Sequence, residues 1–324
     1  MVQRFKTFLI NNGPLLTTIL IFIIVYVVGG LLYPTMQKPQ VFFNLFTNNA
    51  SLLIVSIGLT MVIISKGIDL SVAGMIALTS AASAALLQGG MSAYIVIPLM
   101  LLMGIVLGFI MGWIIHYFKV QPFIVTLMGL WFARGMAYII TLTSLTIKDD
   151  VYRHLALTKL YLFNKNYIYL ATLIGPILLL ITFYIMKYTR FGRTVYAVGN
   201  DEESARLMGL PVGRTKLIVY SFGGFCSALG GIVFSINLLS GYGGYAPGME
   251  LDAIASVVIG GTLLTGGVGN IIGTLFGVLI NGTIVTILQF NGTLSSWWTR
   301  IMVGVLTLIF IGIQSLFYMR QRHS

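Results

Sequence analysis

Apolar residues run along this chain in ten long blocks separated by short polar breaks: 15–33, 50–65, 68–88, 93–118, 122–146, 167–186, 217–240, 253–265, 270–290 and 299–318. A spanning helix needs roughly 20 apolar residues, so the pattern predicts an all-α polytopic membrane protein of about ten transmembrane helices. The third and eighth blocks differ from the rest. They start on polar sequence, Gly67-Ile68-Asp69-Leu70-Ser71 and Gly248-Met249-Glu250-Leu251-Asp252, and are rich in small residues. Both are expected to be broken or half-spanning helices that begin within the bilayer. Such breaks are tolerated where they line a cavity or are buried in protein.

The order of the blocks repeats. The acidic start at Asp69 returns at Glu250 and Asp252, 181 residues on, and the glycines at 104, 108 and 112 return at 269, 273 and 277, 165 residues on. Both pairs match block n with block n+5. Five is odd, so the halves, residues 1–166 and 167–324, should be inverted in the membrane as a 5+5 repeat within a single transmembrane domain. Glycines four residues apart also occur wherever membrane helices pack closely. The repeat therefore rests on two features recurring in the same order.

Composition excludes a water-soluble globule. Of 324 residues 57% are apolar and 8% charged, against about 25% charged in a soluble domain. The net charge of +11 points to nucleic acid only if the positions of the cations are ignored. They sit in short loops, where the positive-inside rule explains them, and no nucleic-acid partner is expected. Residues 187–216 hold nine charges, Lys187, Arg190, Arg193, Asp201, Glu202, Glu203, Arg206, Arg214 and Lys216. Six are basic, so this loop is expected in the cytoplasm. Arg4 and Lys6 put the N-terminus on that side, and Arg320 and Arg322 the C-terminus. Lys148, Arg153, Lys159 and Lys165 conflict with this orientation, because it leaves them on the outer side. Cys226 lies inside an apolar block and reads as a small packing residue.

No catalytic constellation emerges. The chain has no G-x-x-x-x-G-K-[ST] phosphate loop, no H-E-x-x-H metal motif and no G-x-S-x-G nucleophile turn, and His116, His154 and His323 lack ligand spacing. No enzyme activity, resident cofactor or metal is expected. Ionisable residues at membrane depth carry the information instead, since each costs at least ~2.5 kcal/mol to insert. Asp69, Arg134, Glu250 and Asp252 are of this kind. The carboxylates could cap the starts of helices, contact a solute, or do both. Arg134 must either pair with a buried carboxylate or donate hydrogen bonds into an aqueous path.

Within the basic loop, residues 201–210 (Asp-Glu-Glu-Ser-Ala-Arg-Leu-Met-Gly-Leu) read as a short amphipathic helix. Asn200 or Asp201 would cap it, and Gly209 before Pro211 would end it. Its apolar side has no evident partner within the membrane, as expected of a docking surface for another protein.

These residues resemble the permease subunits of ribose-type ABC sugar importers. The likeness is carried by Gly67-Ile68-Asp69-Leu70-Ser71-Val72, by Pro122-Phe123-Ile124-Val125-Thr126-Leu127 with Ala133-Arg134-Gly135, and by Tyr196-Ala197-Val198-Gly199-Asn200 before Ala205-Arg206-Leu207-Met208-Gly209. It runs from about Asn48 to the C-terminus. The stretch from Glu250 to Leu264 and, more specifically, Asn291-Gly292-Thr293-Leu294-Ser295-Ser296-Trp297-Trp298-Thr299 resemble the galactofuranose branch. Lys66 and Met128 depart from the family pattern.

The resemblance implies a bacterial inner-membrane complex. It would contain a second permease chain, different from this one in the galactofuranose branch, and a cytoplasmic ATPase that consumes ATP. A periplasmic sugar-binding protein would deliver the monosaccharide. It implies a coupling helix on Glu202, Ala205, Arg206, Leu207 and Gly209. The candidate solute path is Asp69, Ser71, Thr126, Arg134, Glu250, Asp252 and Thr262, hydrogen-bonding groups suited to an uncharged sugar. A secondary transporter driven by an ion gradient is the competing class, since it also uses inverted repeats and broken helices.

Overall fold

The computed structural model describes residues 2–162, 165–292, 298, 301–305, 308, 309 and 312, with side chains from residue 15 on. Most of the tenth block, positions 293–297 and 299 of the branch-specific stretch, Arg320, Arg322, His323 and the Arg4 and Lys6 side chains lie outside that set.

The first half holds α1 (Val2–Leu32), α2 (Pro39–Asn48), α3 (Ala50–Ile64), α4 (Val72–Gln88), α5 (Ala93–Tyr117) and α6 (Pro122–Ile140). A strand, β1 (Leu145–Thr146), a short helix, α7 (Asp150–Leu157), and the ribbon of β2 (Lys159–Tyr161) with β3 (Tyr167–Tyr169) follow. The second half holds α8 (Ile174–Tyr188), α9 (Arg190–Asn200), α10 (Glu202–Leu207), α11 (Val212–Leu238), β4 (Ser240–Gly241), α12 (Met249–Ile259) and α13 (Ile271–Asn291). β4 pairs antiparallel with β1. Among the described residues six helices are long and apolar enough to cross a membrane, or seven if α2 and α3, bent by 55° at Asn49, form one span. The half-spanning expectation for the third and eighth blocks agrees with two short helices, α4 of 17 residues and α12 of 11. The amphipathic helices α2 and α9 were not expected, because both lie outside the apolar blocks.

Local chemistry sets the boundaries. Pro39 and Pro122 open α2 and α6 at positions where a missing N–H is harmless. Thr189, Asp201 and Asn270 cap α9, α10 and α13 through side-chain oxygens that accept from Gly192, Ser204 and Ile272 N–H groups.

The core forms around α3, every residue of which is buried. α11, α12, α13 and α8 surround it, while α4 packs between α6 and α11. The outer helices α5, α6 and α8 turn large apolar side chains outward, Phe109, Trp131 and Leu180 among them, as a bilayer-facing surface should.

Contacts along the helices fix their directions. The molecule has one face at α10 and an opposite face at the β-strands. α3 starts near the strand face, where Ser51 Oγ donates to the Gly230 carbonyl. It ends at the α10 face, where the Ile64 carbonyl accepts from Gly267 N–H. α11 runs the other way, from α10 to β4. α4 rises from beside Gly223 on α11 to Gln88, which donates to the Thr146 carbonyl in β1, whereas α12 descends from the strand face to Gly260, against Gly273. α5 and α13 are likewise opposed: Gly213 at the start of α11 lies against His116, and α13 ends where Asn291 donates to Tyr33. Blocks two and seven, three and eight, and four and nine therefore run in opposite directions. The two glycine ladders meet different neighbours, however. Gly104 and Gly108 lie against the α11 backbone at Gly224 and Tyr220, whereas Gly273 and Gly277 lie against α12 at Gly260 and Ser256.

Candidate functional site

The expected path residues form two clusters at different depths. The first surrounds the start of α4. Asp69 is fully buried and accepts from Ser71 N–H (2.8 Å) and Ser71 Oγ (2.6 Å), a turn that sets the chain direction for the helix. Thr126 on α6 donates to the Ile68 carbonyl at 3.1 Å as well as to its own helix, so it clips α6 to the residue before Asp69. Tyr220 on α11 closes the group. It is buried, its hydroxyl has no partner, and the ring lies against Gly67.

The second cluster lies about 12 Å away, eight residues further along α6 at 1.5 Å each. Arg134 donates from one guanidinium nitrogen to the carbonyls of Gly243 (3.0 Å) and Tyr245 (2.5 Å), holding the 242–248 loop that leads into α12. Glu250, in the first turn of α12, is within electrostatic reach of Arg134, and its Oε2 is buried with no hydrogen-bond partner. Asp252 lies on the same turn, with its carbonyl accepting from Ser256 Oγ. Of the two roles open to Arg134, the structure shows hydrogen bonding, directed to backbone carbonyls.

Thr262 belongs to neither cluster. It is buried beyond the far end of α12, its Oγ1 unpartnered and close to Gly269. The seven residues thus lie along a course between the two faces, not in one pocket.

Sequence reading missed the aromatic side of the second cluster. Tyr138 meets Tyr242 edge-on (6.4 Å between centroids), Tyr242 meets Tyr245 (5.5 Å), and the Tyr245 hydroxyl is 2.7 Å from Ser240 Oγ. The signal was present as Gly241-Tyr242-Gly243-Gly244-Tyr245, two aromatics among glycines in a polar break. Tyr220 gave no such signal, since one tyrosine in an apolar block looks like core. Cys226 is buried against Gly58, in keeping with a packing role. Among the described residues no group of three His, Cys, Asp or Glu could hold a metal ion.

On the opposite side α10 forms the expected short helix. Asp201 Oδ1 accepts from Ser204 N–H at 2.6 Å, which holds its carboxyl below the usual range. Gly209 ends the helix in the left-handed region, φ +75°. Ala205 is buried against Val198 and Val212. Glu202 bonds Lys216 on α11 at 2.6 Å and Arg206 at 3.4 Å. Partial burial pushes the Glu202 carboxyl up, but these cations outweigh it and leave it below its ordinary value. Leu207 and Met208 stand in solvent, 84% and 67% exposed.

A family model described as the branched-chain amino acid transport system / permease component matches residues 41–311. The inner membrane ABC transporter permease protein YjfF of Escherichia coli strain K12 is 42% identical over 305 residues, covering 94% of this chain and 92% of that one. The fructose import permease protein FruG of Bifidobacterium longum is 36% identical (93% and 90% covered), and the ribose import permease protein RbsC of E. coli strain K12 is 33% identical (94% and 93% covered). No solved structure matches the chain.

Proposed function

The chain belongs to the branched-chain amino acid transport system / permease component family, and from that premise we propose that it is the membrane-spanning subunit of an ATP-driven importer for a monosaccharide, with galactofuranose the favoured solute. Fructose and ribose in the names of two relatives support the sugar class. The Asn291 to Thr299 stretch, which resembles the galactofuranose branch, supports the narrower choice. In this reading the path runs past Arg134, Glu250 and Asp252 near the strand face, then past Asp69, Ser71 and Thr126 deeper in. The tyrosines at 138, 242 and 245 supply the aromatic faces that sugars stack on.

The observation that carries the reading is α10. A capped helix clamped to α11 holds Leu207 and Met208 out in water, 84% and 67% exposed, as a fixed apolar pair that a docking partner would cover. Its occupant would be a cytoplasmic ATPase, which consumes the ATP, so this chain needs no cofactor of its own. The α10 face and both termini are then cytoplasmic. The basic α7 to β3 region faces a sugar-binding protein in the periplasm, and a second, different permease chain completes the pore.

The test is uptake in proteoliposomes holding the two permeases, the ATPase and the binding protein. ATP-dependent entry of galactofuranose well above that of ribose is the expected result. Ribose entering as well as galactofuranose would move the solute to another sugar of the family. Tight binding of an amino acid would remove the sugar class.

A further inference from the structure

An open groove of about 620 Å³ runs along the membrane-facing seam of α5 and α11, lined by Ile105, Phe109, Leu217, Phe222 and Phe225, with Arg214 at one end. Its floor follows from the glycine ladder. Gly104 and Gly108 bring the two backbones together, so the larger side chains flank the seam on either side. Phe222 and Phe225 stack at 6.1 Å between centroids. From Arg214 to Phe225 the groove extends about 16 Å, eleven residues at 1.5 Å each, roughly the length of a straightened acyl chain.

Arg214 is exposed in the first turn of α11 and makes no hydrogen bond or ion pair with the described residues. Its neighbour Lys216 is neutralised by Glu202. The positive end of the α11 dipole lies at the same place, and the cap residue Pro211 offers no side-chain acceptor to its N–H groups. Trp113, stacked on Tyr117 at 5.5 Å, marks the headgroup level on the adjoining α5 turn. A cation at headgroup depth above an apolar trough matches the two ends of an anionic phospholipid.

We infer that the α5–α11 groove is a binding site for one anionic phospholipid, its phosphate on Arg214 and an acyl chain along Phe222 and Phe225. A second helix is a poorer occupant. Membrane helices associate through small residues, and those of this seam are already used between α5 and α11. Two copies meeting here about a twofold axis would also bring Arg214 against Arg214. The inference does not depend on which solute the importer carries.

The experiment is native mass spectrometry of the full chain, delipidated in detergent and titrated with dioleoyl phosphatidylglycerol. One tightly retained lipid is expected, about tenfold weaker in Arg214→Gln, as for loss of a charge-assisted contact. Ser221 also lines the groove, and Ser221→Trp, which fills it without touching the charge, should also lose the lipid. Dioleoyl phosphatidylcholine should not be retained. Equal retention by wild type and both variants, equal retention of the two lipids, or displacement by glycerol phosphate alone would each overturn the site. A doubled mass in place of a bound lipid would show that the groove is a protein interface.

Discussion

Lys216 Nζ lies 2.6 Å from Glu202 Oε2, so the exposed helix α10 is tied to the second turn of α11 and moves with it. α11 also carries Gly223, which borders Asp69, and Tyr220, whose ring lies against Gly67. One helix thus links the surface proposed to meet the ATPase to the deeper cluster of the proposed path.

Lys216→Met should therefore uncouple the two without unfolding the protein. The pair is part-buried, with the Lys216 side chain 16% exposed, and a hydrogen bond to a charged group contributes about 1.5–3 kcal/mol, too little to prevent assembly. ATP hydrolysis by the complex should continue while sugar uptake falls severalfold, and Glu202→Lys with Lys216→Glu should recover part of it. The pH dependence has a definite sign. Because the Glu202 carboxyl is held below its ordinary value of 4.5, the clamp is complete above that range and is lost as pH falls through the lowered folded value. Coupling measured from pH 8 down to 5.5 should be flat with respect to this pair.

The α5–α11 seam gives a paired prediction about stability. A methyl group at Gly108 would strike the Tyr220 carbonyl, whereas one at Gly135 on α6 meets nothing within 4 Å. Gly108→Ala should cost about 1–3 kcal/mol by overpacking and lower the melting temperature in detergent. Gly135→Ala should hold or raise it, since alanine favours a helix by up to ~1 kcal/mol. An unchanged melting point for Gly108→Ala would mean that the two backbones are further apart than this seam requires.

Much of this architecture was legible in the sequence because a bilayer enforces one simple rule, an apolar run wherever a helix crosses. The half-helices were legible for the opposite reason: Asp69 and Glu250 break that rule, and breaking it is expensive enough to signal function. Arg134 was only half legible. Its depth marked it, but its partners are the carbonyls of Gly243 and Tyr245, and backbone acceptors leave no trace in residue type. The differing partners of the glycine ladders were illegible for a related reason, since a glycine records that something approaches closely and not which helix it is.

Arg134 can be tested through the loop it holds. Arg134→Gln should release the 242–248 loop and speed its cleavage by a protease added on the strand face. Arg134→Lys should be intermediate, because an ammonium keeps the donors but its shorter side chain does not carry them as far as the terminal guanidinium nitrogen that serves both carbonyls. Uptake should fall in the same order. Wild-type cleavage rates in both variants would show that the loop is fixed by its tyrosine contacts alone.

The deeper cluster separates charge from hydrogen bonding. Asp69 accepts from Ser71 N–H and Ser71 Oγ, and leaving a buried donor without its acceptor costs about 1–3 kcal/mol, which a bundle of this size survives. Both Asp69→Ala and Asp69→Asn should therefore reach the membrane and assemble. Asparagine keeps an oxygen that accepts from Ser71, and it keeps polar atoms that could meet a hydroxyl. An uncharged sugar needs no formal charge along its path. Uptake should accordingly fall severalfold in Asp69→Ala and be largely retained in Asp69→Asn, measured with the same ATPase and binding protein. If asparagine proves as damaging as alanine while assembly is normal, the carboxylate charge itself is required, and the path would serve a cation or a proton-coupled solute, not a neutral monosaccharide.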